Sequence, residues 1–458
     1  MLDSNKDTIA AICTPLGKGG VGIVRISGEN SLSISLKFFK SSKKNFAGIK
    51  PYRLHHGYFI SHQGKILDEV LLAYMPKPGS YTGEDVVEIN CHGGPAILQL
   101  ILEELLASGA RLAKPGEFTY RAFLNGKMDL TQAEAVIELI NAPTKEAIPL
   151  AQQKLQGLLQ QKIQTLKKDL ETLRQEFCVA VDFPEEDLEC LPPEKIQTKV
   201  QKTIEEINAL LTAYEQKHLY QDGALVVIAG KVNAGKSSLL NALIGKERAI
   251  VTPIPGTTRD YLEEYINIQG IPVRLVDTAG LRETKDEVEN IGLQKGLELI
   301  LQSDLCLLLV DIREKFSTYE QNILEKIPHH KIFVVLNKID LSSTMPKWTE
   351  NINPKIPIFK ISAQTGKGLK ELSKAIGKQL LGTQKESSSA LVPNLRQKKC
   401  LEKAVSELNL LLQHLFEMPY DLLSVHLDLA CQHLKEITGE ITSEEVLNQI
   451  FENFCIGK

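Results

Sequence analysis

Gly230-Lys231-Val232-Asn233-Ala234-Gly235-Lys236-Ser237 follows the apolar run Leu225-Val226-Val227-Ile228 and leads into Leu239-Leu240-Asn241-Ala242-Leu243, a run with helical spacing. A strand that delivers the chain to a glycine-rich turn opening a helix is a phosphate cradle: backbone N–H groups point inward and the helix N-terminus adds partial positive charge. Such turns also serve plain strand-to-helix packing, so the motif needs company. Downstream come Asp277-Thr278-Ala279-Gly280, Asn337-Lys338-Ile339-Asp340 and Ser362-Ala363-Gln364, in the order a guanine-nucleotide switch domain requires. Together they predict a P-loop, Ras-like α/β domain over about 223–381 that binds GTP and GDP.

Within the cradle, made by Asn233, Ala234, Gly235, Lys236, Ser237 and Ser238, Lys236 is expected to reach the β- and γ-phosphates. The Ser237 hydroxyl suits Mg²⁺, a hard cation that takes oxygen ligands. Asp277 closes the apolar strand Val273-Arg274-Leu275-Val276, where it can hold the magnesium through water, and the Gly280 amide, after Thr278 and Ala279, can sense the γ-phosphate. Asn337, Lys338, Ile339 and Asp340 emerge after Ile332-Phe333-Val334-Val335-Leu336, at a strand end where α/β folds bind ligands. The Asp340 carboxylate can accept from guanine N1–H and the exocyclic amine; adenine lacks those donors, and such a site rejects the analogue by roughly 10⁴-fold or more. Ser362, Ala363 and Gln364 suit backbone contact with the base oxygen. Between cradle and magnesium strand lie Thr252, Pro253, Ile254, Pro255, Gly256, Thr257 and Thr258. Thr258 is the natural second hydroxyl ligand to Mg²⁺; an ordinary turn explains Pro255-Gly256 but not the paired threonines. Ras-like switches place a glutamine just after Asp-x-x-Gly to position water, whereas this chain has Leu281-Arg282-Glu283. Another device must orient the water.

At 458 residues the chain is too long for one core, and a net charge of −4 does not argue for nucleic acid directly. Any nucleic-acid partner must be met by a local patch or through another protein. The polar start, with apolar residues stopping at Pro15, is too short for a signal sequence or membrane span, so a cytoplasmic protein without stable membrane insertion is expected. Eight scattered cysteines give neither zinc spacing nor a disulfide framework and read mostly as small core residues.

Outside the switch domain, two further regimes follow from periodicity. Residues 1–123 alternate short β-rich runs, such as Gly22-Ile23-Val24-Arg25-Ile26, with glycine turns, which predicts an α+β domain. Residues 124–222 are helical. Thr131-Gln132-Ala133-Glu134 has capping-box spacing, Ala133, Val136, Ile137 and Ile140 share a face, and long amphipathic helices are interrupted at Pro184 and Pro192-Pro193. After a linker-like Gly382–Ser389, residues to 458 are helical again. The nucleotide domain is thus expected to be inserted in an all-helical domain built from 124–222 and 382–458, the alternative being two separate helical regions.

Pro255-Gly256-Thr257-Thr258-Arg259-Asp260, Asp277-Thr278-Ala279-Gly280-Leu281-Arg282-Glu283 and the terminal Phe454-Cys455-Ile456-Gly457-Lys458 make the chain resemble the MnmE (TrmE) family of tRNA modification GTPases. The resemblance runs end to end, through Gly19-Gly20-Val21-Gly22-Ile23-Val24-Arg25-Ile26, Gly83-Glu84-Asp85-Val86-Val87-Glu88, Lys114-Pro115-Gly116-Glu117-Phe118-Thr119 and Asn125-Gly126-Lys127-Met128-Asp129-Leu130. It implies a potassium-dependent GTPase that adds a carboxymethylaminomethyl or aminomethyl group to carbon 5 of the wobble uridine of certain tRNAs. A folate such as 5-formyltetrahydrofolate supplies the one-carbon unit. The implied partners are a second copy in a homodimer, held by the N-terminal domains, and the flavoprotein MnmG in a heterotetramer, with FAD on MnmG alone.

By match to the motif, potassium is implied at Asn233, Thr252, Ile254 and Thr257, a cation that can take the electrostatic role of an arginine finger. Glu289 matches the family's water-orienting glutamate; otherwise it reads as a solvated charge. Folate binding is implied at Arg25, Glu84, Lys127 and Lys458, the cations suiting its glutamate carboxylates and Glu84 its pterin donors. Cys455 is implied beside the folate, acting in modification rather than GTP hydrolysis; its place fourth from the end also fits a prenylation box, for which Gly457 and Lys458 are poor residues. Val232, Lys18 and Lys295 depart from the family's commoner proline and arginines. Two other readings stand beside this one: a ribosome-assembly or membrane-associated switch sharing the potassium-using domain, and a folate-binding transferase in which GTP is only an allosteric signal.

Overall fold

The structure, a computed structural model of the chain, describes residues 7–15, 17–182, 192–246, 263–277, 297–342, 344–381 and 391–458. Its contacts divide the chain into two compact units: Met1–Ile137, Lys154–Thr203 and Lys399–Lys458 form one, Glu138–Gln153 and Ile204–Lys398 the other.

In the first unit, β1 (Ile9–Ile12), β2 (Gly22–Ser27), β3 (Phe39–Ser41), β4 (Leu54–Ile60), β5 (Ile66–Met75), β6 (Val86–Cys91) and β7 (Arg111–Leu112) form a sheet of order β3-β4-β5-β6-β2-β1-β7. All neighbours are antiparallel except β1 and β7. Strand alternation sends Val24 and Ile26 into the core and leaves Arg25 between them on the opposite face. Over the core face lies the helix Pro95–Ala107, whose Leu98, Ile101, Leu102 and Leu105 fall at helical spacing. It comes so close that a Cβ on Gly22 would sit 2.7 Å from Leu98 Cδ2.

Helices from both ends of the sequence complete this unit. Leu158–Asp182 packs on Tyr420–Thr438, with Phe177 stacked on Tyr420 at 4.9 Å and ion pairs Arg174–Asp428 (2.8 Å) and Lys435–Glu171 (3.2 Å). The helical flanks therefore meet, as the insertion reading requires. One local expectation is corrected. The helix Leu130–Ile140 is capped by Asp129, not Thr131: Asp129 Oδ1 accepts from the Thr131 and Gln132 amides, and Gln132 Oε1 accepts from the Asp129 amide. The box starts two residues earlier because the aspartate sits nearest the first unpaired N–H groups, and the Thr131 hydroxyl itself donates to Asp129. Ile140, expected on the buried face, is 46% exposed.

The second unit is built on β8 (Ala224–Gly230), β9 (Glu263–Ile268), β10 (Ile271–Asp277), β11 (Leu305–Asp311), β12 (Ile332–Asn337) and β13 (Ile358–Lys360), in the order β13-β12-β11-β8-β10-β9. Only the edge strand β9 is antiparallel. The inner strands are apolar runs because both faces are covered: Lys236–Lys246 and Leu369–Leu381 on one side, Thr318–Lys326 on the other. Strand order reverses between β8 and β11, which makes the carboxyl ends of these strands the place for a ligand. The fold class is thus the expected one, an N-terminal α+β sheet, helices, and a P-loop α/β domain inserted between helical segments.

Candidate functional site

Every described residue expected to meet the nucleotide stands at those carboxyl ends. The cradle leaves β8 at Gly230 and turns through Asn233 (φ 64°) and Gly235 (φ 96°) into the helix that begins at Lys236. The Lys236 ammonium, buried, donates back across the loop to the carbonyls of Gly230 (3.0 Å) and Lys231 (2.7 Å). It thereby spans the loop from the end of β8 to the start of the helix. Ser237 Oγ donates to Asp277 Oδ2 at 2.9 Å, and Asp277 is fully buried at the end of β10. A hydroxyl beside a buried carboxylate at a helix start is the donor set a magnesium ion takes.

Asn337 does different work from its neighbours. It is buried, its amide donates to the Ala234 carbonyl (2.9 Å), and its Oδ1 accepts from the Ala363 amide (3.0 Å). One side chain thus bolts the cradle, the β12 loop and the β13 loop together. Gly235 leaves room for it, since a Cβ there would fall 2.3 Å from Asn337 Nδ2. Lys338, at φ 65°, reaches from the same loop to the Asn233 carbonyl (2.7 Å) and to Asp311 Oδ2 (2.9 Å). Ile339 donates to the Ile361 carbonyl, Ser362 is buried and accepts from Thr365, and Asp340 and Gln364 stand exposed at the mouth.

Asp311 was legible but overlooked. It ends an otherwise apolar strand, the same signal that marks Asp277, and it holds both Lys338 and a two-bond Arg313 (2.7 and 3.0 Å). The Arg313 bonds, with Lys338 beside them, keep its carboxyl far below the usual range. Thr252, Pro253, Ile254, Pro255, Gly256, Thr257, Thr258, Thr278, Ala279, Gly280 and Glu289 lie outside the described residues, as does Lys295.

In the first unit the C-terminal tail docks on the side of the sheet that carries Arg25, opposite the helix Pro95–Ala107. Phe451 packs against Tyr120 (5.2 Å) and Phe454 (5.4 Å), and Gly457, at φ 97°, lies so close to β1 that a Cβ would sit 2.5 Å from the Ile12 carbonyl. The Gly457 carbonyl accepts from Arg25 Nη1 and from the Cys13 thiol, both at 3.2 Å. Arg25 also pairs with Glu88 (2.8 Å) and lies 5.6 Å from the ring centres of Tyr81 and Phe118. Glu84 accepts from Ser27 Oγ (2.7 Å) and Arg121 (3.2 Å), and Lys127 Nζ donates to the Pro78 carbonyl (2.9 Å). Cys455 is exposed, and the Lys458 amide closes a turn onto its carbonyl. Arg25 and the tail are therefore joined, and Glu84 and Lys127 are held by neighbouring segments of the same unit.

Behind Glu84 lies a cluster that sequence reading missed. Arg121 and Glu117, both buried, pair at 3.0 Å; Arg121 reaches Asp7 (2.6 Å), and Arg111 reaches both Asp7 and Glu117 (2.6 Å each). Burial would raise the Asp7 and Glu117 carboxyls, but the arginine bonds, joined at Glu117 by the Lys114 amide, outweigh it and hold both below their ordinary values. Glu117 and Arg121 stand four apart on one helix, a spacing that could have been read, but Asp7, Glu84 and Arg111 join them from separate segments.

Comparison with known proteins gives two family matches that together span most of the chain. The family model for the MnmE helical domain matches residues 130–455 and that for the GTP-binding protein TrmE N-terminus matches 8–127. The tRNA modification GTPase MnmE of Nitratidesulfovibrio vulgaris (Hildenborough) is 47% identical, and that of Lawsonia intracellularis 45%; the alignments cover 99% of this chain and 99% and 100% of those proteins. Among solved structures, the G domain of the T. maritima FeoB iron transporter aligns with 34% of this chain and 98% of its own at 29% identity, with a TM-score of 0.27, too low to add to the argument.

Proposed function

The chain belongs to the MnmE family of tRNA modification GTPases, and from that premise we propose that GTP hydrolysis in its second unit drives modification of carbon 5 of the wobble uridine of certain tRNAs. The observation that carries the GTPase is the Lys236–Ser237–Asp277 arrangement, braced to the base-side loops by Asn337. Lys236 neutralises phosphate charge, and Asp340 reads guanine. Ser237 and Thr258 would hold Mg²⁺, with Asp277 behind Ser237, a hydroxyl–carboxylate pair that fits a hard cation. When bound, that ion supplies neutralisation of the charge developing on phosphate oxygens. Asn233, exposed at the lip of the cradle, would hold K⁺ together with oxygens of Thr252, Ile254 and Thr257. Glu289 orients the attacking water.

For the modification half of the reaction we assign a homodimer that joins the flavoprotein MnmG in the cytoplasm, with a folate one-carbon donor. Arg25, Glu84, Lys127 and Lys458 would receive the folate, and Cys455 acts beside it. The support is the docked tail: Gly457 is hydrogen-bonded to Arg25 two residues after Cys455. The test pairs two measurements. GTP turnover should be faster in KCl than in NaCl at equal ionic strength, and tRNA from a strain lacking this gene should lack the 5-substituted wobble uridine. Equal rates in the two salts refute the potassium site; intact wobble uridine refutes the tRNA function.

A further inference from the structure

In a chain of net charge −4, residues 30–67 contain six lysines, one arginine and no acid. Six of those cations, Lys37, Lys40, Lys43, Lys44, Lys50 and Arg53, fall between the last turn of the helix Ser31–Phe38 and the start of β4, and all are exposed. Among the described residues none of the six forms an ion pair. Local structure explains two of them. Lys37 complements the C-terminal end of its helix, and Lys40, opposite Tyr58 on the edge strand β3, guards that edge against pairing with another chain. It does not explain Lys43, Lys44, Lys50 and Arg53, which lie in the connection beyond the strand.

That connection is fixed in place. Phe46 packs between Phe39 (6.0 Å) and His55 (5.8 Å), and the Lys50 backbone is hydrogen-bonded to His55 Nε2. Tyr52, between Lys50 and Arg53, is 61% exposed and sits at φ 56°, a backbone conformation unusual for a bulky residue. Its amide donates to the Tyr74 carbonyl at 2.9 Å, and its hydroxyl lies where a Cβ on Gly79 would be. The exposed ring thus lies with its hydroxyl end against Gly79, flanked in sequence by two cations. Glu69 is occupied by His56, Asp68 by His92 and Glu104 by His62, and Asp85, beside Tyr74, accepts from the Lys77 amide.

We propose that this basic margin, the β3–β4 connection with Tyr52 at its centre, binds the phosphate backbone of the tRNA, with Tyr52 as a stacking platform for an unpaired base. The proposal rests on the tRNA reading above and names the surface that receives it. Unpaired, fixed cations release counterions from a polyanion, and an exposed tyrosine stacks on bases of single-stranded loops.

The test is equilibrium binding of unmodified tRNA transcript to the full-length protein across a salt series. The triple variant Lys43→Gln, Lys44→Gln, Lys50→Gln should bind at least tenfold more weakly at 0.1 M salt and lower the slope of log K against log salt by about 2 to 3. Tyr52→Ala should weaken binding about tenfold with the slope unchanged. GTP turnover of both variants should equal wild type, and their far-ultraviolet circular dichroism and urea midpoint should match it, which shows that the first unit, where the substitutions lie, still folds. Wild-type affinity and slope in the triple variant overturn the proposal, as does failure of the wild-type protein to bind tRNA at low salt. Loss of binding to phosphatidylglycerol vesicles with tRNA binding intact overturns it in favour of a membrane surface. Each of these leaves the tRNA function itself to the wobble-uridine measurement, so the two can fail separately.

Discussion

Replacing Asn337 by alanine isolates the brace from the binding site. The substitution leaves the Ala363 N–H without its acceptor and the Ala234 carbonyl without its donor, the latter in a loop where Ala234 is 4% exposed. A buried polar group left unpaired costs about 1–3 kcal/mol, so the pair amounts to about 3 kcal/mol or somewhat more. That destabilisation is present without nucleotide. The chain's single tryptophan, Trp348, stacks on Phe316 at 4.7 Å within the same unit, so its fluorescence reports unfolding there alone. With a urea slope of about 2–3 kcal/mol/M, the midpoint of nucleotide-free protein should fall by about 1 M. Affinity for a fluorescent GDP analogue should fall in the same variant, because the cradle and the two base-side loops lose their common tie. A midpoint shift under about 0.2 M, with the affinity still reduced, would falsify the brace argument: Asn337 would then serve the nucleotide and not the loops.

Other outcomes are equally specific. Arg121→Met strips buried Glu117 of one partner and should destabilise the first unit by about 3 kcal/mol, read from far-ultraviolet circular dichroism in urea. Asp7 and Glu117 have lowered native values, so the stability they contribute is complete above their unfolded values near pH 4 and disappears as pH falls through the native ones. Melts between pH 6 and pH 3 should show that decline, and Glu117→Gln should flatten it; an unchanged profile contradicts the assignment. Gly457→Ala, which forces a Cβ against the Ile12 carbonyl, should lower wobble modification while GTP turnover stays at the wild-type rate, and Cys455→Ser should do the same more completely. Loss of turnover in either would mean that the tail and the nucleotide site are not separate functions. Glu289→Ala should retain GDP-analogue binding and lose hydrolysis by at least tenfold, as single-turnover rates would show.

How much of the nucleotide site could be read in advance depended on whether its chemistry is local. Lys236, Ser237 and Asp277 are where a strand end and a helix start must put them, so their spacing sufficed. Asn337 was placed correctly but its work was not visible, because its partners at Ala234 and Ala363 are 103 and 26 residues away. The helix cap at Asp129 was misread by two positions, since either Asp129 or Thr131 satisfies the pattern and only the hydrogen bonds choose between them.

The sequence alone determined the α/β switch domain and the family, because glycine turns, strand-end acids and apolar runs act through neighbours a few residues apart. Tertiary structure alone decided the rest. It returned the helix Tyr420–Thr438 to Leu158–Asp182, brought Gly457 onto Arg25 and gathered Asp7, Glu84, Arg111, Glu117 and Arg121 into one ion network. Charge pairing and close packing depend on distance in space, and apart from the Glu117–Arg121 pair on one helix those distances are set by segments far apart in the chain.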